Sequence, residues 1–183
     1  MKKLSIVLAS FLLLAACSDD KETSTEITPP ADTEAPAEQT EMVEEGFITQ
    51  ITEDQILVNS IYFTITDDVA VDFDNGTDTK DGAISDIRTG MKVSIDYKGP
   101  LAESFPMQGE ADTVSILNDE ESASQADALT AFIEGEQLPR LLMMGQPIIR
   151  DNEIGFLFTN MENNEMSEVR IDLDTHEYTI GGE

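Results

Sequence analysis

Cysteine occurs once in this sequence, at Cys17, and histidine once, at His176. These scarcities remove whole classes of chemistry. A lone cysteine closes no intrachain disulfide, so stability has to come from buried apolar surface. Metal sites built on histidine pairs and Cys-His dyads need partners that the chain does not hold. A Ser-His-Asp triad would have to use His176, which sits in DTHEY, a stretch that predicts a hairpin-like surface turn. No glycine-rich segment follows the P-loop or dinucleotide-binding pattern. No cofactor is therefore expected.

Basic residues are scarce as well: 10 Lys and Arg stand against 38 Asp and Glu, a net charge of −28. This excludes nucleic acid as a partner, because phosphate binding needs a basic footprint. It also opposes lying flat on anionic lipid, which would repel the chain. Such an excess reads first as a solvated surface that maintains solubility. Adaptation to high salt or alkaline surroundings, and loose cation binding, are the sharper alternatives. Long apolar runs are missing too. The run over residues 4–16 has 13 residues, whereas a helix needs about 20 to cross a bilayer.

What stands at the start is a secretion signal. MKKLSIVLASFLLLAAC has a basic opening (Lys2, Lys3), the short apolar run and then the cysteine. Its end, Leu14-Ala15-Ala16-Cys17, resembles a bacterial lipobox. That resemblance implies removal of residues 1–16 as a lipoprotein signal peptide. It also implies a diacylglyceryl thioether on Cys17, often with a further fatty acyl group such as palmitate. The alternative is an ordinary secretory cleavage site followed by a free thiol. Two or more acyl chains hold a protein stably, where one gives only marginal binding. The expected address is the extracytoplasmic face of the cell membrane, with the membrane as a partner through the lipid anchor.

Residues 18–45 contain ten acids, one lysine, three prolines and no aromatic residue. A segment of that composition cannot bury enough surface to offset its ordering entropy. Residues 17–45 are thus expected to be an acylated cysteine and a disordered acidic tether, with an r.m.s. reach of about 30 Å.

Order is expected from Gly46. GFITQIT, QILVNS and IYFTIT are short runs rich in β-branched and aromatic residues, and Thr52-Glu53-Asp54 predicts a turn between the first two. Ile61, Phe63 and Ile65 alternate with polar positions, as do Met91, Val93, Ile95 and Tyr97 in MKVSIDY. DFDNGTDTKDG reads as a polar loop, Gly90 as a turn, and ADTVSIL as a last strand with Val114 and Ile116 in phase with Asp112. About five strands closing on themselves predict a small OB-like β-barrel over residues 46–118. OB-type folds often bind oligonucleotides or sugars. Acidity removes the first, and the few aromatics leave little for the second.

Residues 118–123 read as a linker, and Ser124-Gln125-Ala126-Asp127 predicts a helix start. Leu129, Phe132 and Ile133 share the buried face, and Gly135 predicts the stop. Three or four antiparallel strands follow, with turns at Asp151-Asn152 and Asn163-Asn164. The fold class expected is mainly β: a barrel, then an α+β part over residues 119–183 with one helix on a meander.

Two candidate sites emerge. GPLAESFPMQG (residues 99–109) holds two Gly and two Pro yet carries Leu101, Phe105 and Met107. As a structural corner, Leu101 and Phe105 would plug the end of the barrel. As a ligand-binding loop, Glu103, Ser104, Phe105, Pro106 and Gln108 would carry the site. The second candidate is a weak calcium site at Asp72, Asp74 and Asp78, near Asn75 and Asp81. The EF-hand pattern fails there, because Gly76 falls fifth and Ala83 twelfth when counted from Asp72.

Gly46-Phe47, Ile56-Leu57-Val58, Gly90-Met91-Lys92-Val93, Gly99-Pro100, Glu103-Ser104-Phe105-Pro106 and Gln108 follow one another in an order that resembles the YobA-type domain of unknown function. That family occurs in small exported proteins and lipoproteins of Gram-positive bacteria. The resemblance covers residues 46–117. It implies a small β-barrel and an envelope location, and it brings no catalytic residues. The expected function is a non-catalytic binding module for an envelope protein or small ligand. A structural or stress-related acidic surface lipoprotein and a weak calcium binder are the alternatives, with a carboxylate-based hydrolase as the enzymatic one.

Overall fold

The computed structural model describes residues 41–181. Cys17, the signal and the first part of the expected tether lie outside these residues. Seven strands make the first sheet: β1 (Glu41–Ile51), β2 (Gln55–Val58), β3 (Ile61–Thr64), β4 (Ala70–Asp74), β5 (Thr79–Asp81), β6 (Lys92–Lys98) and β7 (Met107–Leu117). Five of them close a ring in the order β1-β2-β3-β7-β6 and back to β1, with β3 and β7 parallel and the other pairs antiparallel. This is the OB-like barrel that the alternating strands predicted.

Two long strands make closure possible. The first part of β1 pairs with β6 and its end pairs with β2, with a register slip between Ile48 and Gln50. β7 pairs first with β3 and then with β4. Inward positions of all five ring strands fill one core that includes Ile48, Ile56, Phe63, Ile95 and Val114. The Phe63 and Tyr97 rings lie 5.2 Å apart at 58°. Full burial of each such side chain contributes about 1.5–3 kcal/mol.

Several expectations change here. Residues 41–45 belong to β1 and pair with Asp96, Tyr97, Lys98 and their neighbours in β6, so that end of the tether is ordered. Met42 packs on the barrel core and Glu45 meets Lys92 at 3.0 Å. Strand pairing therefore orders a stretch whose composition alone could not. DFDNGTDTKDG is a hairpin of β4 and β5, closed by Asx-type bonds, rather than a plain loop. Asp112 is exposed and out of phase with Val114, because a bulge falls where Asp96 pairs with Thr113 and Tyr97 with Ala111.

After β7 the chain forms α1 (Glu120–Gly135) and then β8 (Leu141–Met143), β9 (Ile148–Arg150), β10 (Glu153–Asn160), β11 (Glu165–Asp172) and β12 (Tyr178–Gly181). The helix starts four residues before the expected Ser124. Asp119 is the N-cap, accepting from the amides of Glu121 and Ser122 at 3.1 and 3.0 Å. These bonds, led by those from Ser122, hold the Asp119 carboxyl below its ordinary value. The acids of the supposed linker suit the positive end of the helix dipole. Gly135 is the last helical residue, and the chain reverses at Gln137 with φ 53°. Five strands form the second sheet where three or four were expected, because β8 and β9 pair with different ends of β10 along one edge. Asp151 and Asn164 take φ 52° and 59° at the expected turns.

The second core gathers Leu129 and Phe132 of α1 with Phe156, Phe158 and Val169 of the sheet. The Phe132 ring meets Phe158 at 5.5 Å and Tyr178 at 5.1 Å, both edge-on. A residue of the barrel joins them. Phe47 of β1, 2% exposed, belongs to this second core, while its neighbour Ile48 belongs to the first. Thr49 and Leu57 are fully buried too, although their strand neighbours Ile48, Ile56 and Val58 fill the barrel. One outer face of the barrel is thus a floor for the helix and meander, and the described residues, 41–181, fall in one compact unit.

Candidate functional site

The β6–β7 connection occupies the place where OB-type folds carry one of their binding loops, between the fourth and fifth strands of the barrel. It is tied down from both sides. The Ala102 amide donates to the Gln108 carbonyl at 2.8 Å, and the Ser104 hydroxyl donates to the Pro106 carbonyl at 2.7 Å. Both X-Pro bonds, Gly99-Pro100 and Phe105-Pro106, are cis. Leu101 packs on the barrel core, in contact range of Gly109, where an added Cβ would fall 2.7 Å from Leu101 Cδ2.

Phe105 does the opposite. It is 72% exposed at the tip of the loop, so the expectation that Leu101 and Phe105 together plug the barrel is corrected: Leu101 and Met107 pack inward and Phe105 stands out. The reason is geometric. Leu101 lies before the tip and Met107 opens strand β7 after it, and these two pack on the core with Phe105 between them. Glu103 and Ser104 are exposed beside Phe105, and Pro106 is half-buried. Gln108 lies in β7, opposite Tyr62 of β3, so its backbone serves the barrel while its side chain remains exposed.

Beneath the loop a polar cleft of about 600 Å³ runs between Thr64, Pro100, Gln108 and the Lys98–Asp112 ion pair. That pair is 3.0 Å long, and the hydrogen bond that Lys98 donates to Asp112 raises its ammonium above the ordinary value. A loop that lines a polar, charged cleft can orient polar groups of a ligand there, while its exposed ring offers an apolar contact. Truncation of the ring should leave the fold alone. Phe105→Ala is expected to change unfolding free energy by no more than about 0.5 kcal/mol, as surface substitutions do; urea denaturation measures it. A loss of several kcal/mol would mean that the ring is core after all.

The calcium candidates are not brought together as ligands. Asp74 accepts from the Gly76 amide at 2.8 Å, and Asn75 from the amides of Thr77 and Asp78 at 3.0 and 2.8 Å. Their oxygens build the β4–β5 turn. Asp72 faces Asp81 across that hairpin, and one of its oxygens is buried with no partner among the described residues. Among those residues no three carboxylate, thiol or imidazole groups gather as a metal site. His176 lies in the turn after β11, its amide bonded to the Asp172 carbonyl at 2.9 Å. Hydrogen bonds from Thr175 hold Asp172 below its ordinary value, which is the direction of structural bonding and the reverse of a general acid's.

Sequence reasoning missed two further concavities. One, of about 530 Å³, lies between barrel and helix, with Phe73 and Met91 in its wall and Arg88, Lys92 and Asp127 at its rim. Its cations are engaged: Arg88 donates to the carbonyls of Ser85 and Ile87, and Lys92 pairs with Glu45. The other is a groove of about 430 Å³ on the outer face of the second sheet, between Ile148, Leu157, Arg150 and Arg170. The available signal was the gathering of rare arginines in an acidic chain.

No curated protein and no solved structure matches this chain. The barrel does have a match, whose limits agree to within a residue with the stretch singled out from its sequence: residues 45–118 carry a domain of the family described as Protein of unknown function (DUF3221).

Proposed function

We propose that this chain is an exported, lipid-anchored envelope protein that works by binding rather than by catalysis. Cys17 would carry the anchor, and the β6–β7 loop would be presented to a protein or small ligand on the outer face of the membrane. The anchor rests on Lys2 and Lys3, the apolar run and the cysteine that ends it. The resemblance to YobA-type exported proteins and lipoproteins of Gram-positive bacteria supports the same address. The observation that carries the binding reading is the β6–β7 loop at the place where OB-type barrels bind: its Phe105 ring is 72% exposed, and Gly99, Pro100, Ala102 and Gln108 line a polar cleft.

Two readouts test the two halves separately. Radiolabelled palmitate should enter the parent protein, and Cys17→Ser should lose the label and leave the membrane fraction. An unlabelled parent would remove the anchor. For the loop, a photo-crosslinking amino acid in place of Phe105 in intact cells should give a discrete adduct. The same group at Glu162, exposed in the β10–β11 turn, should give none. Equal, diffuse labelling at both positions would remove the loop as a site.

A further inference from the structure

Ala123, Ala126, Asp127, Thr130 and Glu134 recur at helical spacing and share one face of α1. Thr130 holds that face to the barrel by donating to the Thr89 carbonyl at 3.5 Å. Beside this clamp the two alanines are too short to fill the space that remains, and Phe73, Met91 and Ile116 close it from the barrel side. The result is the cavity of about 530 Å³ between barrel and helix, which shares no lining residue with the cleft at the β6–β7 loop.

The two walls of this cavity differ in sign. On the barrel side Arg88 donates through Nη1 to the carbonyls of Ser85 and Ile87. Those neutral oxygens fix the guanidinium without cancelling its charge, and Nε and Nη2 have no partner among the described residues. On the helix side stand Asp127 and Glu134, one on either side of Thr130. Arg88 directly precedes Thr89, the residue that touches the helix, yet no ion pair crosses the gap. The ion pairs among the described residues join Lys92 to Glu45, Lys98 to Asp112 and Arg170 to Glu168. A fixed cation and two acids therefore line one apolar-floored cavity with their bonding capacity open.

That arrangement selects a ligand by charge. A plain anion meets the two helix acids and a net charge of −28, and a plain cation meets Arg88. A neutral molecule that carries both signs on an apolar body avoids both penalties. We propose that this cavity binds a small zwitterion, a free apolar amino acid or a short apolar peptide. Its carboxylate lies on Arg88, its ammonium on Asp127 or Glu134, and its side chain on the floor of Phe73, Met91 and the two alanines. A pocket that is mostly apolar, with a few polar groups to fix orientation, is the usual form of a small-molecule site.

Calorimetric titration of the full chain carrying Cys17→Ser, with L-phenylalanine and with the dipeptide alanylphenylalanine, tests this. At least one probe should bind, and the tighter of the two tells amino acid from peptide. N-acetylphenylalanine lacks the ammonium and phenylalanine amide lacks the carboxylate. The corresponding blocked forms of the tighter probe should each bind about tenfold more weakly or worse, the usual loss of one charge-assisted hydrogen bond. Arg88→Gln should weaken the parent probe by a similar factor, and so should Asp127→Asn combined with Glu134→Gln. Because Arg88 also holds backbone carbonyls, Ala126→Leu provides a variant free of that duty. It fills the floor with a good helix former, so it should abolish binding while melting no lower than the parent. No heat from either probe at millimolar concentration overturns the proposal. So does a blocked form that binds as tightly as its parent, or binding that survives Ala126→Leu.

Discussion

Phe47→Ala should cost about 3–5 kcal/mol, the usual loss for a phenylalanine taken from a closed core, and the whole unit should still melt in one transition. The side chain leaves β1 on the side away from the barrel core and ends among Phe132, Leu141, Phe156 and their neighbours, 2% exposed. Its removal opens a cavity where the helix and meander sit on the barrel, and two faces that meet there cannot both collapse into it. Residues 41–181 fall in one compact unit, so loss at this junction lowers the stability of both cores. Urea denaturation followed by circular dichroism measures the cost. Phe47→Leu should recover more than half of it. A loss below about 1 kcal/mol, within the range of a solvent-exposed truncation, would mean that the second half does not depend on this ring.

Gly90→Ala comes next, at about 2–5 kcal/mol, the sum of two physical terms. The residue has φ +92°, where a side chain costs about 1–2 kcal/mol. Its Cβ would also fall 1.9 Å from Thr130 Oγ1 and 3.1 Å from the Thr130 backbone, which is overpacking of about 1–3 kcal/mol. Gly90 is bound on its other side, with its amide donating to the Ile48 carbonyl at 2.7 Å, so it cannot retreat from the helix. A double-mutant cycle separates the terms. Thr130→Ala should be mild alone and should recover part of the loss in the Gly90→Ala background, leaving the backbone term. Strictly additive effects would show that contact with the helix plays no part.

Much of the barrel was legible from residues taken in order. Ile61-Phe63-Ile65 and Met91-Val93-Ile95-Tyr97 alternate at the strand period, and Thr52-Glu53-Asp54 and Gly90 mark their turns. Those strands and that closure are what the structure holds. The candidate loop was legible as a place, because Gly and Pro flank greasy residues between two strands. Which of its apolar side chains faces inward was not, since an irregular backbone has no period to count. Phe105 and Leu101 look alike in the sequence and end on opposite sides of the loop.

By itself, then, the sequence determined the class of the fold, the alternating core positions of β3 and β6, and the exclusion of intrachain disulfides and histidine-pair metal sites. Local signals suffice there: period, turn residues and composition act over a few positions. Only tertiary structure decided the rest. Residues 41–45 are ordered by β6, which arrives some fifty positions later. Phe47 and Ile48 are both buried because a second core covers the outer face of β1, a strand too apolar on both sides for its alternation to say which way is in. Asp112 turns outward because a bulge spends one residue of β7 to keep register on two neighbours. In each case the deciding contact is made by residues far away along the chain, and pattern over neighbouring positions carries no record of it.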